Sequence, residues 1–329
     1  MRCSPANGPE TDPVFANDGI LVAMGRRTVK SLAAGAIACI CALAMAATAS
    51  ALDDCAAQPA PDLVHSESGR FESVAFDGKG RLFFTNSEAG KLLMIRHSGA
   101  KPKLVLDGID APGGIVFRRN GHVLVGYGDS IAQGSDGEAN PEAGLIDVNP
   151  RTGRSRIYVD GLQMANGVTR GPGGQIFAST DFGTGVDRVL DGAVELAWAP
   201  LDSSNGMVVD RGKRYLFVNQ TFTPSPTIAR IPLDDPTAVV AWFTAPDEPG
   251  AFLDGLTRDA DGNLYAAANG SGDVWKVSGR TEGCILWHGQ PFPNGPSDVA
   301  FGRGKGRFPK GSLFVTTFGG ELLQLRHAR

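Results

Sequence analysis

This sequence of 329 residues predicts an all-β fold, a six-bladed β-propeller whose N-terminal strand completes the last blade. Three observations carry the prediction. One pattern recurs six times: a short polar opening, an apolar strand, a Gly-containing turn and a second apolar strand. Helical periodicity is nearly absent between the copies. The last copy stops one strand short, and the segment ahead of the first copy reads as the missing strand.

The copies are ESVAFDGKGRLFFTN from Glu72, GGIVFRRNGHVLVGY from Gly113, NGVTRGPGGQIFAST from Asn166, NGMVVDRGKRYLFVN from Asn205, DGLTRDADGNLYAAA from Asp254 and SDVAFGRGKGRFPKGSLFVTT from Ser297. Their starts lie about 45 residues apart on average, the length of a four-stranded blade. Apolar runs around Asp, Gly, Asn and Lys turn clusters read as hairpins. Two more strands usually follow, as KLLMIRH and PKLVLDG do in the first copy. The sixth copy supplies only GELLQLRHAR, and PDLVHS at 61–66 can complete it, leaving no unpaired blade edge. A sandwich would not repeat at this period.

The N-terminus differs in kind. Arg26, Arg27 and Lys30 precede the Ala-rich run SLAAGAIACICALAMAATA, which ends at Ala49-Ser50-Ala51. That is the pattern of a signal peptide. Its cationic part begins only after Met24, which makes Met24 an alternative initiator. The chain therefore divides into a signal peptide, 1–51, and a single propeller domain, 52–329, exported to the periplasm or the medium. Of five cysteines only Cys55 and Cys284 follow the cleavage site. In an exported protein such a pair is expected to be bridged. Closure of the ring brings Cys55, just ahead of the closing strand, near Cys284 at the start of the outermost strand of blade five. The 31 basic and 35 acidic residues form no basic stripe, which argues against nucleic acid or anionic membrane as partners. The expected partner is a small molecule, and the expected state a monomer.

Equivalent residues of a propeller's innermost strands form a ring around the tunnel. Here the ring is Glu72, Gly113, Asn166, Asn205, Asp254 and Ser297. Two carboxylates and two amides suit a hard cation such as Ca²⁺, which takes six to eight oxygens. One ion is expected, with Zn²⁺, Mn²⁺ and Mg²⁺ as alternatives. The lack of His or Cys argues against zinc. Asn-Gly and Asp-Gly also serve tight turns, but a turn does not account for Glu72 in the same register.

These residues carry a family resemblance. ESVAF is similar to an E-G-P-x-W opening, SNGM at 204–207 to S-N-G-L, and LDGL at 253–256 to P-D-G-M. From about residue 70 to 325 the chain resembles the gluconolactonase and senescence-marker propellers, with wider kinship to diisopropyl fluorophosphatase and paraoxonase. The resemblance implies that Glu72, Asn205 and Asp254 bind metal, that Asn166 lies on or beside it, and that lactones or phosphotriesters are hydrolysed. Met164 and Gly167 stand where sugar-lactone members tend to carry Arg and an acidic residue, which favours a less polar ester or lactone. Ser73 and Gly167 replace the acidic residues that hold a second calcium in paraoxonases. His65, His97, His122, His288 and His327 all fall off the ring.

Asp254 is then the candidate general base or nucleophile, and Asn166 orients substrate or water as well as the ion. The second strands return to the same mouth, which makes Asn86, Tyr127, Asp181, Gln220 and Asn269 candidate substrate contacts. The acidic segment 129–144 reads as a long loop there. The alternative function is a non-catalytic propeller that uses a metal for rigidity and binds a ligand or protein.

Overall fold

The six hydrophobic repeats fold as six antiparallel sheets of four strands each. The computed structural model describes residues 52–328, and residues 1–51, where the signal peptide is expected, lie outside the described residues. In blade one the strands Phe71–Phe76, Leu82–Asn86, Lys91–Ile95 and Lys103–Leu106 pair in chain order. The later blades follow suit, with innermost strands Ile115–Phe117, Val168–Arg170, Ser204–Val209, Leu253–Arg258 and Pro296–Phe301.

Sheets buried on both faces need apolar side chains on both, and the core accordingly lies between blades. Six buried clusters each join two neighbouring blades. Between blades six and one, Phe76 meets Phe308 and Phe314 edge-on, each at 5.1 Å between ring centroids. Such aromatic pairs contribute about 0.5–1.5 kcal/mol beyond their buried area.

A bulge recurs at the start of four of the six innermost strands. Pairing shifts register between Phe71 and Val74, Ser204 and Met207, Leu253 and Leu256, and Pro296 and Asp298. The extra residue re-aims the side chains there, and the ring position sits inside the bulge every time.

The closing strand is the one expected. Asp62–Ser66 pairs antiparallel with Glu321–Leu325 and completes blade six. Just before it, the chain lies along blade five: Cys55 N donates to Ile285 O at 2.8 Å, and Ile285 N to Asp53 O at 2.9 Å. The Cys55–Cys284 disulfide forms there, with Cα atoms 5.1 Å apart. One N-terminal segment thus fastens two adjacent blades. No helix among the described residues is long and apolar enough to cross a membrane.

Candidate functional site

The bulges carry Glu72, Asn205 and Asp254 to the wall of one cavity in the tunnel, where Asn166, two residues ahead of its strand, joins them; all four are buried. Its volume is about 50 Å³, room for an ion and a little water. Ser297, the sixth ring position, turns aside: its hydroxyl donates to Phe71 O at 2.6 Å, and its oxygen lies 3.0 Å from the Thr316 hydroxyl. Asn205-Gly206 and Asp254-Gly255 are not turns. Gly206 and Gly255 lie within strands and neither has a positive φ. A Cβ on Gly206 would stand 2.3 Å from Asp254 O, and one on Gly255 2.3 Å from Asp298 Oδ1. Neighbouring blades approach too closely for a side chain there.

Asn205 is oriented by its surroundings. Thr221 Oγ1 donates to Leu253 O at 2.9 Å, so it accepts from Asn205 Nδ2 at 2.9 Å. This turns the amide carbonyl away from Thr221. Asn205 also hydrogen-bonds Asp254, and Asn166 hydrogen-bonds Asp129.

Asp129 was not among the residues expected at the site. Blade two offers only Gly113 to the ring, and Asp129 Cβ lies 3.0 Å from where a Gly113 Cβ would be. The loop residue therefore brings a carboxylate to the position where the strand has none. Asp298, one residue past the ring, is a second addition: it lines the same cavity where the other blades have Ser73, Gly114, Gly167, Gly206 and Gly255. Its carboxylate accepts from Val74 N and Val299 N. Its sequence signal was an acid in a register otherwise filled by Gly and Ser.

These carboxyls disfavour one another's ionisation. Burial, then Asp129, Asp254 and Asp181, push Glu72 well above the usual carboxylate range. Burial, then Asp181, Asp298 and Asp129, do the same to Asp254. Burial raises Asp129 to about 7, against the opposing influence of Arg70 and Asn166, and raises Asp298 to about 7. Asp181 is raised by burial and by Asp129, and its Oδ1 is buried without a hydrogen-bond partner among the described residues. Arg70, stacked on Phe318 at 5.5 Å, is the cation acting on both Glu72 and Asp129. A divalent cation would relieve this repulsion, so the donor set fits one. Among the described residues, no three His, Cys, Asp or Glu side chains make a metal cluster by themselves. The ring depends on its amides.

The residues expected to touch substrate separate. Asn86 is fully buried and its amide is committed to the neighbouring loop: Nδ2 donates to Glu67 Oε1 and Ser68 O, and Oδ1 accepts from Ala89 N. Gln220 Nε2 donates to Asp202 O, and Asn269 Nδ2 to Pro296 O across a blade boundary. Tyr127 lies across Gly144, with its hydroxyl pushed up by burial and by Asp160. Asp181 alone of the five joins the carboxylates. His288 lies away from the ring and bridges Asp54 and Asp273, each at 2.8 Å.

The mouth carries an aromatic arc that sequence reasoning missed. Phe182 and Phe222 lie 5.0 Å apart, and Phe222 and Phe252 5.5 Å. A signal existed for two of the three: a Phe follows the second strand in TDFG and QTFT. The segment expected as a loop contains a short helix, Ile131–Asp136. Ser130 caps it by accepting from Gln133 N at 3.2 Å, the kind of cap Ser favours. Gly134 packs on Met164 and Phe182, and Glu138 accepts from Thr184 N at 2.9 Å. Met164 is thereby buried beneath the helix, at 2 % exposure.

Fold and site together define a six-bladed β-propeller with an oxygen-lined tunnel. Among solved structures, the chain is similar to a gluconolactonase from Xanthomonas campestris (18% identity, TM-score 0.61), covering 85% of this chain and 98% of that one. It is similar to a calcium-binding regucalcin from Agrobacterium tumefaciens (16%, TM-score 0.61), covering 81% and 93%. It is also similar to a virginiamycin B lyase from Staphylococcus aureus (14%, TM-score 0.55), covering 79% and 81%. The first two are the kinds of propeller that the ring motifs resemble. Identities this low establish the fold alone. No protein-family profile matches the sequence, and no curated protein matches it significantly.

Proposed function

We propose that this protein is a metal-dependent hydrolase that opens a lactone or ester, with phosphotriesters as a related class, at the tunnel ring. The observation that supports this most is the convergence of Glu72, Asp129 and Asp254 with Asn166 and Asn205 on one buried locus, each carboxyl pushed up by burial. Glu72, Asn166, Asn205 and Asp254 would hold one Ca²⁺. When bound, such an ion supplies Lewis-acid polarisation of a carbonyl or phosphoryl oxygen. Asp254 takes the proton of the attacking water, or attacks itself, and Asn166 orients the reacting group through its amide. The Phe182, Phe222 and Phe252 arc favours an apolar acyl or alkoxy group and excludes bulk water from that side of the mouth. Export is part of the same proposal, since a disulfide persists in oxidising compartments.

The regucalcin neighbour is calcium-binding and the Xanthomonas neighbour a gluconolactonase, which agrees with this reading. The test is metal analysis of the protein purified without chelator, followed by lactone, aryl ester and phosphotriester turnover with and without chelator. The expected result is one calcium per chain and turnover abolished by chelation and by Asp254→Ala. Bound calcium with no metal-dependent turnover would favour the binding-module alternative. Turnover unchanged in Asp254→Ala would overturn the catalytic assignment.

A further inference from the structure

The opposite end of the tunnel is chemically unlike the ring. It opens into a cavity of about 520 Å³, the size of a small-molecule site. Its walls are the far halves of the innermost strands, where the half-buried Phe117, Val168 and Val208, with Ala75 and Ala300, supply apolar lining. Four cations, Arg170, Arg258, Arg303 and Lys310, line it as well.

None of the four has a carboxylate partner among the described residues. Arg170 Nη1 reaches back to Phe117 O at 3.2 Å, and Arg258 Nε reaches back to Val209 O at 2.8 Å, each crossing to the preceding blade. Both guanidinium groups are half-buried and anchored by neutral carbonyls, so their charge is positioned without being neutralised. Arg303 and Lys310, in the last hairpin, are exposed. Asp259, the carboxylate beside Arg258, is occupied elsewhere: its oxygens accept from the backbone N–H of Asp261, Gly262 and Asn263, from Asn263 Nδ2 and from Tyr265 Oη. Asp298 closes the inner end of the cavity, next to the acidic ring.

We propose that this funnel is a second binding site, separate from the ring, for a small amphiphilic anion: an apolar body capped by one carboxylate. The apolar body lies inward against the valine and phenylalanine walls, because Asp298 repels an anionic head at that end. The carboxylate lies outward between Arg170 and Arg258, whose planar groups suit a carboxylate's two oxygens. Arg303 and Lys310 add longer-range attraction that salt screens.

Octanoate is the probe, with octanol and acetate as its uncharged and headgroup-only counterparts, measured by titration calorimetry on the purified protein. Saturable one-to-one octanoate binding is expected, weakening as salt rises, with octanol and acetate each at least about tenfold weaker, octanol because it loses a charge-assisted hydrogen bond and acetate because it has no methylene chain to bury. Arg170→Gln and Arg258→Gln should each weaken octanoate about tenfold or more. Arg258 also ties two blades together, so the exposed pair Arg303→Gln/Lys310→Gln serves as a second variant, expected to lower affinity a few-fold and to flatten the salt dependence. No saturable octanoate binding, equal binding of octanol, or unchanged affinity in the folded variants would each overturn the proposal. Asp254→Ala should bind octanoate like the parent, which distinguishes failure here from failure of the hydrolase reading.

Discussion

Asp129 occupies the place beside Gly113 where blade two has no side chain to give. If it completes the oxygen set, Asp129→Asn keeps its shape and removes one charge, and calcium affinity should fall at least about tenfold by calorimetry. Thr221 acts one contact further out. Thr221→Val removes one acceptor from Asn205 Nδ2 and the hydroxyl donor from Leu253 O, which should cost about 1–3 kcal/mol of stability. It also frees the Asn205 amide to rotate, which should weaken calcium about 10–100-fold. Thr221→Ser restores both hydrogen bonds and should recover most of the affinity. Glu72, Asn166, Asn205 and Asp254 were legible in the sequence because strand register converts position in a repeat into position around a tunnel. Asp129 was not, because it arrives by the path of a loop that no register specifies.

At the scale of the strand, the bulge decides both the site and its glycines. The Asn-Gly and Asp-Gly pairs read in sequence as either metal positions or turns, and the structure explains the glycine by the neighbouring blade instead. Gly206→Ala places a methyl group 2.3 Å from Asp254 O, backbone that must move for it. The expected cost is about 1–3 kcal/mol, seen as a lower midpoint in urea. Gly78→Ala is the control, since a Cβ there meets nothing within 4 Å, and its midpoint should move little. The capped helix Ile131–Asp136 was hidden in an acidic, Gly-containing stretch whose composition reads as loop. It forms because Ser130 caps it and because Gly134 lets it settle on Met164 and Phe182. The same packing accounts for Met164 facing protein and not substrate, a distinction that local sequence does not contain.

For the whole molecule, closure was legible because the last copy lacked a strand and the first had one to spare. What sequence could not show is how the N-terminal segment is held against blade five. Besides the disulfide, His288 donates or accepts at both ring nitrogens, joining Asp54 of that segment to Asp273. Asp54 and Asp273 raise the imidazole above its ordinary value, against a smaller opposing effect of burial. Asp273 is itself raised by burial despite the histidine. The bridge spans 229 residues, for which the chain-entropy account gives about 5 kcal/mol. Cys55→Ala/Cys284→Ala should therefore lower the thermal midpoint by several degrees or more. In that background His288 remains as one side-chain clasp on the segment, beside Glu248, whose Oε1 accepts from Leu52 N at 2.9 Å. A histidine whose folded value is raised binds its proton more tightly in the native state, so its stabilisation is complete below its ordinary pKa and is lost as pH rises through the raised one. Adding His288→Asn to the cysteine variant should lower the midpoint clearly at pH 6 and progressively less toward pH 9. A gap that stays constant over that range would show that the imidazole's charge does not contribute to closure.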